Sequence, residues 1–291
     1  MNKFRFTLFT PCYNSGKFIH RVFKSIDNFT FRDFEWIVVN DASTDNTHQL
    51  ITDYISKADF HVNYLNRKEN KMLHANYEYA LEHCKGDFFL PMGHDDEWYP
   101  DTLETFEKLF REYDDDQIAA IGALCKNQDG KLVDFEYPKN FQIANYFEMF
   151  YETNRYRKEV PFCYKTDIFK KYFNEKTNLN AIIGCNYNMI FINKIVRVYY
   201  INENPTALSK GSRKDGALEM FYHYSYWVNK YQYKLGHAPI YRWRGVFAYP
   251  YHGILAKKQL KVMLKLIERR ENKLLVLVFY LPALILSKLV N

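Results

Sequence analysis

What this 291-residue sequence lacks narrows its class at once. Its five cysteines, Cys12, Cys84, Cys125, Cys163 and Cys185, are scattered, odd in number and form no CxxC pair. That argues against a disulfide framework and for free thiols in a reducing cytoplasm. Residues 1–6 are polar and basic, and the apolar stretch after them is too short for a secretory core, so no signal peptide is expected. The sequon at Asn28 then carries no meaning. No internal repeat and no low-complexity linker breaks the chain. With 47% hydrophobic and 25% charged residues, wholesale disorder is excluded. The length suits one large α/β domain or about two smaller ones.

Aromatics, by contrast, are plentiful, with 25 Tyr and 24 Phe. Most must fill a core, but some are available to stack on bases or sugars. The first half alternates strand and helix patterns, which predicts a largely parallel sheet with helices on both faces. Strands are expected at 6–9, 35–39, 60–65, 87–92 and 118–125. Helices are expected at 18–26, after the N-cap residues Ser43, Thr44 or Asp45, at 73–84, and at 101–112. Further on, a helix is expected at 186–195 and a strand at 197–201. Polar groups at the C-terminal ends of parallel strands gather on one rim, where open α/β sheets bind ligands. Three strand ends here carry such groups: Thr10-Pro11-Cys12-Tyr13-Asn14, Asn40-Asp41-Ala42-Ser43 and His94-Asp95-Asp96.

Each rim residue has a functional and a structural reading. Adjacent carboxylates repel unless a metal or a basic partner lies between them. Asp95 and Asp96 therefore suit Mg2+ or Mn2+ whose other ligands are phosphate oxygens, or they cap the helix that follows. Asp41 could accept from a pyrimidine N3–H or a ribose hydroxyl, or serve a turn. Tyr13 could stack on a base, or pack.

Taken in order, these segments resemble a known family. Thr10-Pro11-Cys12-Tyr13-Asn14, then Val38-Val39-Asn40-Asp41-Ala42-Ser43-Thr44-Asp45-Asn46-Thr47, then Ala75-Asn76, Lys85-Gly86-Asp87-Phe88 and Asp95-Asp96-Glu97-Trp98 are similar to family 2 glycosyltransferases. The stretch 76–98 is most similar to the rhamnosyltransferase-like branch. The likeness is close over 4–110 and loose to about 215. It implies a GT-A (nucleotide-diphospho-sugar transferase) fold: a Rossmann-like, mixed but mostly parallel sheet with helices on both faces and a C-terminal helical extension. The implied organisation is a domain at 1–215, with a nucleotide-binding half at 1–125 and an acceptor half at 126–215, followed by an extension at 216–291. It implies a UDP-sugar donor, an inverted product, and Thr10, Pro11, Tyr13, Asp41, Lys71 and Asp95 as donor contacts. Asp95 and Asp96 would hold Mn2+ or Mg2+ as catalytic residues. The loop carrying Lys210, Arg213 and Lys214 would close over the diphosphate.

Two positions depart from the family pattern. Gly93-His94-Asp95-Asp96 has glycine where an aspartate usually opens the metal motif. The family's base falls on Asn186, an amide that takes no proton at neutral pH, so Glu175 or Asp167 are alternative bases. A catalytically inactive GT-A-fold binding or scaffold protein is the competing reading. A nucleotidyltransferase is disfavoured, because no glycine- and basic-rich N-terminal loop is present.

Net charge is +6, and its excess is local: 257–273 holds seven Lys or Arg against two Glu. An amphipathic helix is expected at 254–267. The uncharged run 274–286 follows, roughly 20 Å long as a helix against a hydrocarbon core of roughly 30 Å. Pro282 is expected to interrupt it. Charge beside an apolar run points to lipid rather than nucleic acid. The expectation is peripheral attachment to the inner leaflet, with a saccharide or polyprenyl-diphosphate-linked saccharide as acceptor. A homodimer contact, or packing on the catalytic domain, is the alternative use of the apolar run.

Overall fold

The structure, a computed structural model, describes residues 4–146, 148–149, 159–174, 179–201, 217–230 and 239–289. Its chain divides into two compact units. The first is Met1–Ala144, Arg157–Lys171 and Tyr187–Asn204, and the second is Asn145–Tyr156, Tyr172–Asn186 and Pro205–Asn291. These units interleave along the chain, whereas the expected boundaries follow it in order.

The first unit opens with alternating elements: β1 (Phe4–Cys12), α1 (His20–Asn28), β2 (Phe34–Asn40), α2 (Thr47–Ile55), β3 (His61–Asn66), α3 (Met72–His83) and β4 (Gly86–Pro91). β3, β2, β1 and β4 lie side by side and run parallel. β2 is buried at every position, as expected of a strand covered on both faces. Along the chain then come β5 (Glu97–Trp98), α4 (Thr102–Glu112), β6 (Ile118–Asn127), β7 (Phe141–Ala144), β8 (Phe162–Lys165), α5 (Thr166–Phe173), α6 (Leu179–Asn186), which belongs to the second unit, and β9 (Asn188–Tyr199). The sheet runs β3-β2-β1-β4-β8-β6-β9-β5, with β7 beside β9. β8 is antiparallel to both its neighbours, so the sheet is mixed yet mostly parallel, as the sequence implied.

A buried polar clip aligns the three central strands at their starting ends. Thr7 Oγ1 donates to Glu35 Oε1 (2.7 Å) and accepts from Gly86 N (2.9 Å), while Lys85 N donates to the same Glu35 oxygen (2.5 Å). A Cβ on residue 86 would lie 2.4 Å from Thr7 N, so glycine alone lets β4 approach β1 here.

Three sequence expectations are corrected. The helix expected at 186–195 is a strand: Met189, Ile190, Phe191, Ile192 and Val196 are buried in β9 between β6 and β7. An unbroken apolar run reads alike in a buried strand and a buried helix, and β-branched residues tip it to strand. The single helix expected at 254–267 is two. In the second unit α7 (Ala217–Lys230) is followed by α8 (Pro239–Leu255), α9 (Leu260–Leu266) and α10 (Arg270–Leu289). Lys257 adopts φ 55°, Lys258 N bonds Gly253 O (2.8 Å) and Lys257 N bonds Ile254 O (2.9 Å), a Schellman termination of α8 without glycine. Pro282, finally, lies inside α10 without ending it. This unit has its own core of Phe221, Val228, Val246, Tyr249, Met263, Ile267 and Val276, the helical extension expected from the sequence.

Candidate functional site

Because β2, β1 and β4 are adjacent and parallel, the loops after them leave the same edge. Asp41 N donates to Cys12 O (2.8 Å) and Met92 N to Phe9 O (2.7 Å), holding the strand ends level. Asp41 and the Asp95–Asp96 pair follow the two strands that flank β1, strands that lie about 10 Å apart at two strand spacings.

The Asn40–Thr47 run stitches this edge together. Asn14 N donates to Ser43 Oγ (2.9 Å), and Asn14 Oδ1 accepts from Thr44 N (2.8 Å). Asp45, one residue before the N-cap Asn46, takes the first N–H of α2: Oδ1 accepts from Thr47 N (3.0 Å), and Oδ2 accepts from Gly16 N (2.9 Å). Of the three capping residues the sequence offered, Asp45 does the work. Asn14, Ala42 and Met72 all take positive φ, at 49°, 60° and 67°. Left-handed backbone costs roughly 1–2 kcal/mol at an ordinary residue, and here it is concentrated in the loops of the rim.

Tyr13 is exposed at the end of β1, and Pro11 is half-buried beside it. Asp41 is buried, and its Oδ1 accepts from Lys71 N (2.8 Å) with Arg67 Nε at 3.8 Å. The contribution of Lys71 is thus its backbone N–H, since its ammonium pairs with Glu69 at 2.8 Å. Thr10 lies beneath the rim rather than on it: fully buried, its Oγ1 accepts from Trp36 Nε1 (3.1 Å).

The aspartate pair is asymmetric. Asp95 is part-exposed, and its backbone oxygen accepts from Arg21 Nη1 (2.8 Å). Asp96 is buried, with Oδ2 3.3 Å from Arg197 Nη1. Arg197 Nη2 reaches Glu159 Oε1 at 2.5 Å. Burial pushes the Asp96 carboxyl up to about 7, the Arg197 guanidinium opposes that, and Asp95 and Glu159 add repulsion. Burial disfavours charge on Arg197, but Asp96 and Glu159 outweigh it and hold the guanidinium protonated. The basic partner weighed from sequence therefore exists. Arg197 was missed there, although a lone arginine within Ile195-Val196-Arg197-Val198 signals a buried cation that must be paired.

Gly93 explains its own departure from the family. A Cβ there would lie 3.0 Å from Asp96 Oδ2 and 3.2 Å from Asp95 Oδ1. One oxygen of each carboxylate faces the space that glycine leaves, and the Asp96 oxygen there is also the one paired with Arg197. Among the described residues no group of three His, Cys, Asp or Glu could hold a metal, so Mg2+ or Mn2+ would need oxygens from a bound ligand.

Asn186 ends α6 in the second unit, and its Nδ2 donates to Ile182 O (2.9 Å). Asp167 is exposed in the first turn of α5. Glu175, Lys210, Arg213 and Lys214 lie outside the described residues.

Residues 7–199 match the sequence model of Glycosyl transferase family 2. Glycosyltransferase GlyA of Streptococcus pneumoniae is 25% identical over 221 residues, covering 68% of this chain and 31% of that protein. The teichoic acid poly(glycerol phosphate) polymerase of Staphylococcus epidermidis is 26% identical over 208 residues, with shares of 68% and 28%. The chain spans about a third or less of these relatives' length. Among solved structures, S. aureus TarS 1–349 in complex with UDP aligns with a TM-score of 0.62 at 16% identity, covering 95% of this chain and 89% of that one. The mannosyltransferase PcManGT from Pyrobaculum calidifontis, in complex with GDP-Man and Mn2+, gives 0.57 at 16% identity, with shares of 99% and 84%. At such identities the likeness is one of fold, and that fold is GT-A, as implied by the sequence.

Proposed function

This chain belongs to glycosyl transferase family 2, and from that premise we propose that it moves a sugar from a UDP-sugar onto a saccharide hydroxyl, with inversion at the anomeric carbon. The reading rests on one observation: Asp41 and the carboxylates of Asp95 and Asp96 follow the two parallel strands that flank β1 at one edge, with exposed Tyr13 at the end of β1 between them. Tyr13 stacks on the base. Asp41, oriented by Lys71 N–H, accepts from the uracil N3–H through its other oxygen. Asp95 and Asp96 would hold Mn2+ or Mg2+, which would supply positive charge to offset that on the leaving diphosphate. Arg197 opposes the burial that favours the protonated form of Asp96. The acceptor hydroxyl loses its proton to a carboxylate, not to the amide of Asn186. The acceptor is a saccharide, carried on a polyprenyl diphosphate at the cytoplasmic face of the membrane, in surface-polysaccharide assembly.

UDP with Mn2+ should raise the melting temperature, and Asp95→Ala should remove the increase. No increase with any nucleoside diphosphate would overturn the reading. Asn186 favours a second reading, a chain that binds donor without turnover. Hydrolysis of any of a panel of sugar nucleotides excludes that alternative.

A further inference from the structure

The second unit presents an apolar face that its own core does not use. Along α10, Asn272, Val276, Ala283 and Ser287 are buried, while Leu274, Leu277, Val278, Leu281, Ile285 and Leu289 are 45–77% exposed. The two sets alternate at helical spacing, so one side of the helix packs inward and the other forms a continuous outward stripe. The helix is locked into its unit: Val276 joins the core, and Asn272 Nδ2 donates to Val228 O (3.0 Å). Trp243 of α8, half-exposed, packs against Phe279 of α10 at 6.0 Å, adding an amphipathic indole to that surface. At the start of the stripe Lys257, Lys261, Lys265, Arg269 and Arg270 are all exposed, with Val262 and Leu266 exposed among them on α9.

We infer that the outward face of α10, led by the basic segment 257–273, docks the second unit onto an anionic bilayer, lying in the interface and not crossing it. The occupant follows from charge: seven cations against two anions suit acidic headgroups, and the adjoining apolar stripe suits acyl chains. A self-associating face would have no use for such a concentrated like charge. The in-plane orientation follows from three facts. At 20 residues α10 reaches roughly 30 Å, enough to span. Yet one side of it is committed to a protein core that includes buried Asn272. Pro282 also has no N–H for the carbonyl of Val278, which a spanning helix would leave unpaired in hydrocarbon and an interfacial helix leaves to water. The surface is read from this unit alone; only its use at a lipid-linked acceptor rests on the transferase reading.

The full chain is mixed with phosphatidylglycerol-rich or pure phosphatidylcholine vesicles and floated, with no donor or acceptor present. It should float with the anionic vesicles, be released by salt and by alkaline carbonate, and lose roughly tenfold or more of its binding in Val278→Asp/Leu281→Asp/Ile285→Asp. If that variant unfolds, Lys261→Gln/Lys265→Gln/Arg269→Gln/Arg270→Gln, all exposed sites, should show a comparable loss. No binding to anionic vesicles overturns the proposal. So does a stable dimer in solution that the aspartate variant dissociates in a chain that never floats. Resistance to carbonate extraction overturns the in-plane orientation. A chain that floats but turns over no donor leaves the surface standing and sinks the transferase reading alone.

Discussion

Arg197 and Asp96 form a buried ion pair, Nη1 to Oδ2 at 3.3 Å, between β9 and the loop after β4. The guanidinium is shared, since its Nη2 bonds Glu159 Oε1. The pair connects the proposed cation site to the far half of the sheet.

Removing the guanidinium strands two carboxylates. Arg197→Met should cost about 3–5 kcal/mol, as expected when one partner of a buried pair is lost. Asp96→Asn/Arg197→Met should be more stable than the single variant. Denaturant unfolding of the three proteins checks this, and additive losses would refute the pairing.

Gly93 separates two interpretations of the metal motif. If the space over Gly93 is where a cation binds, Gly93→Ala should weaken Mn2+-dependent UDP binding at least ~10-fold, because its Cβ meets both carboxylates. Gly93→Asp, which restores the commoner family residue, should not improve on wild type. Calorimetric titration of UDP with and without Mn2+ measures both.

Asp41 offers a test of base choice. Its Oδ1 is occupied by Lys71 N–H, so Asp41→Asn can keep that bond and turn an NH2 toward the base. UDP affinity should fall about 10–100-fold, as a buried donor then faces a donor. CDP, whose ring nitrogen accepts, should lose far less. An equal loss for both nucleotides would remove Asp41 from base recognition.

His223 makes the second unit acid-sensitive. Burial, with His252 nearby, pushes its imidazole down to about 4. Between about 6.5 and 4 the unfolded chain binds a proton that the folded chain does not, so stability falls as the pH is lowered through that window. The full effect is on the order of 3 kcal/mol. His223→Phe should flatten the pH dependence of unfolding over that range, and an unchanged slope would contradict the assignment.

The alternation of β1 through α4 was legible because period-2 and period-3.6 patterns follow from local geometry. The rim residues were legible because motif spacing places them at strand ends. The metal motif's glycine was not: its reason is the approach of two carboxylates across a loop. Arg197 and Glu159 are separated from Asp96 by 101 and 63 positions, and no local pattern links them.

By itself, then, the sequence determined a mostly parallel α/β sheet, the edge that carries Tyr13, Asp41, Asp95 and Asp96, and a basic, apolar C-terminal region. These depend on near-neighbour periodicity and on strand direction. Tertiary structure alone decided that β9 is a strand, that Asp96 is buried and ion-paired while Asp95 is part-exposed, and that α10 runs through Pro282 with one side left uncovered. The reason is physical: burial, ion pairing and the choice between strand and helix for an apolar run depend on what packs against a segment, and that is set by residues far away in the chain.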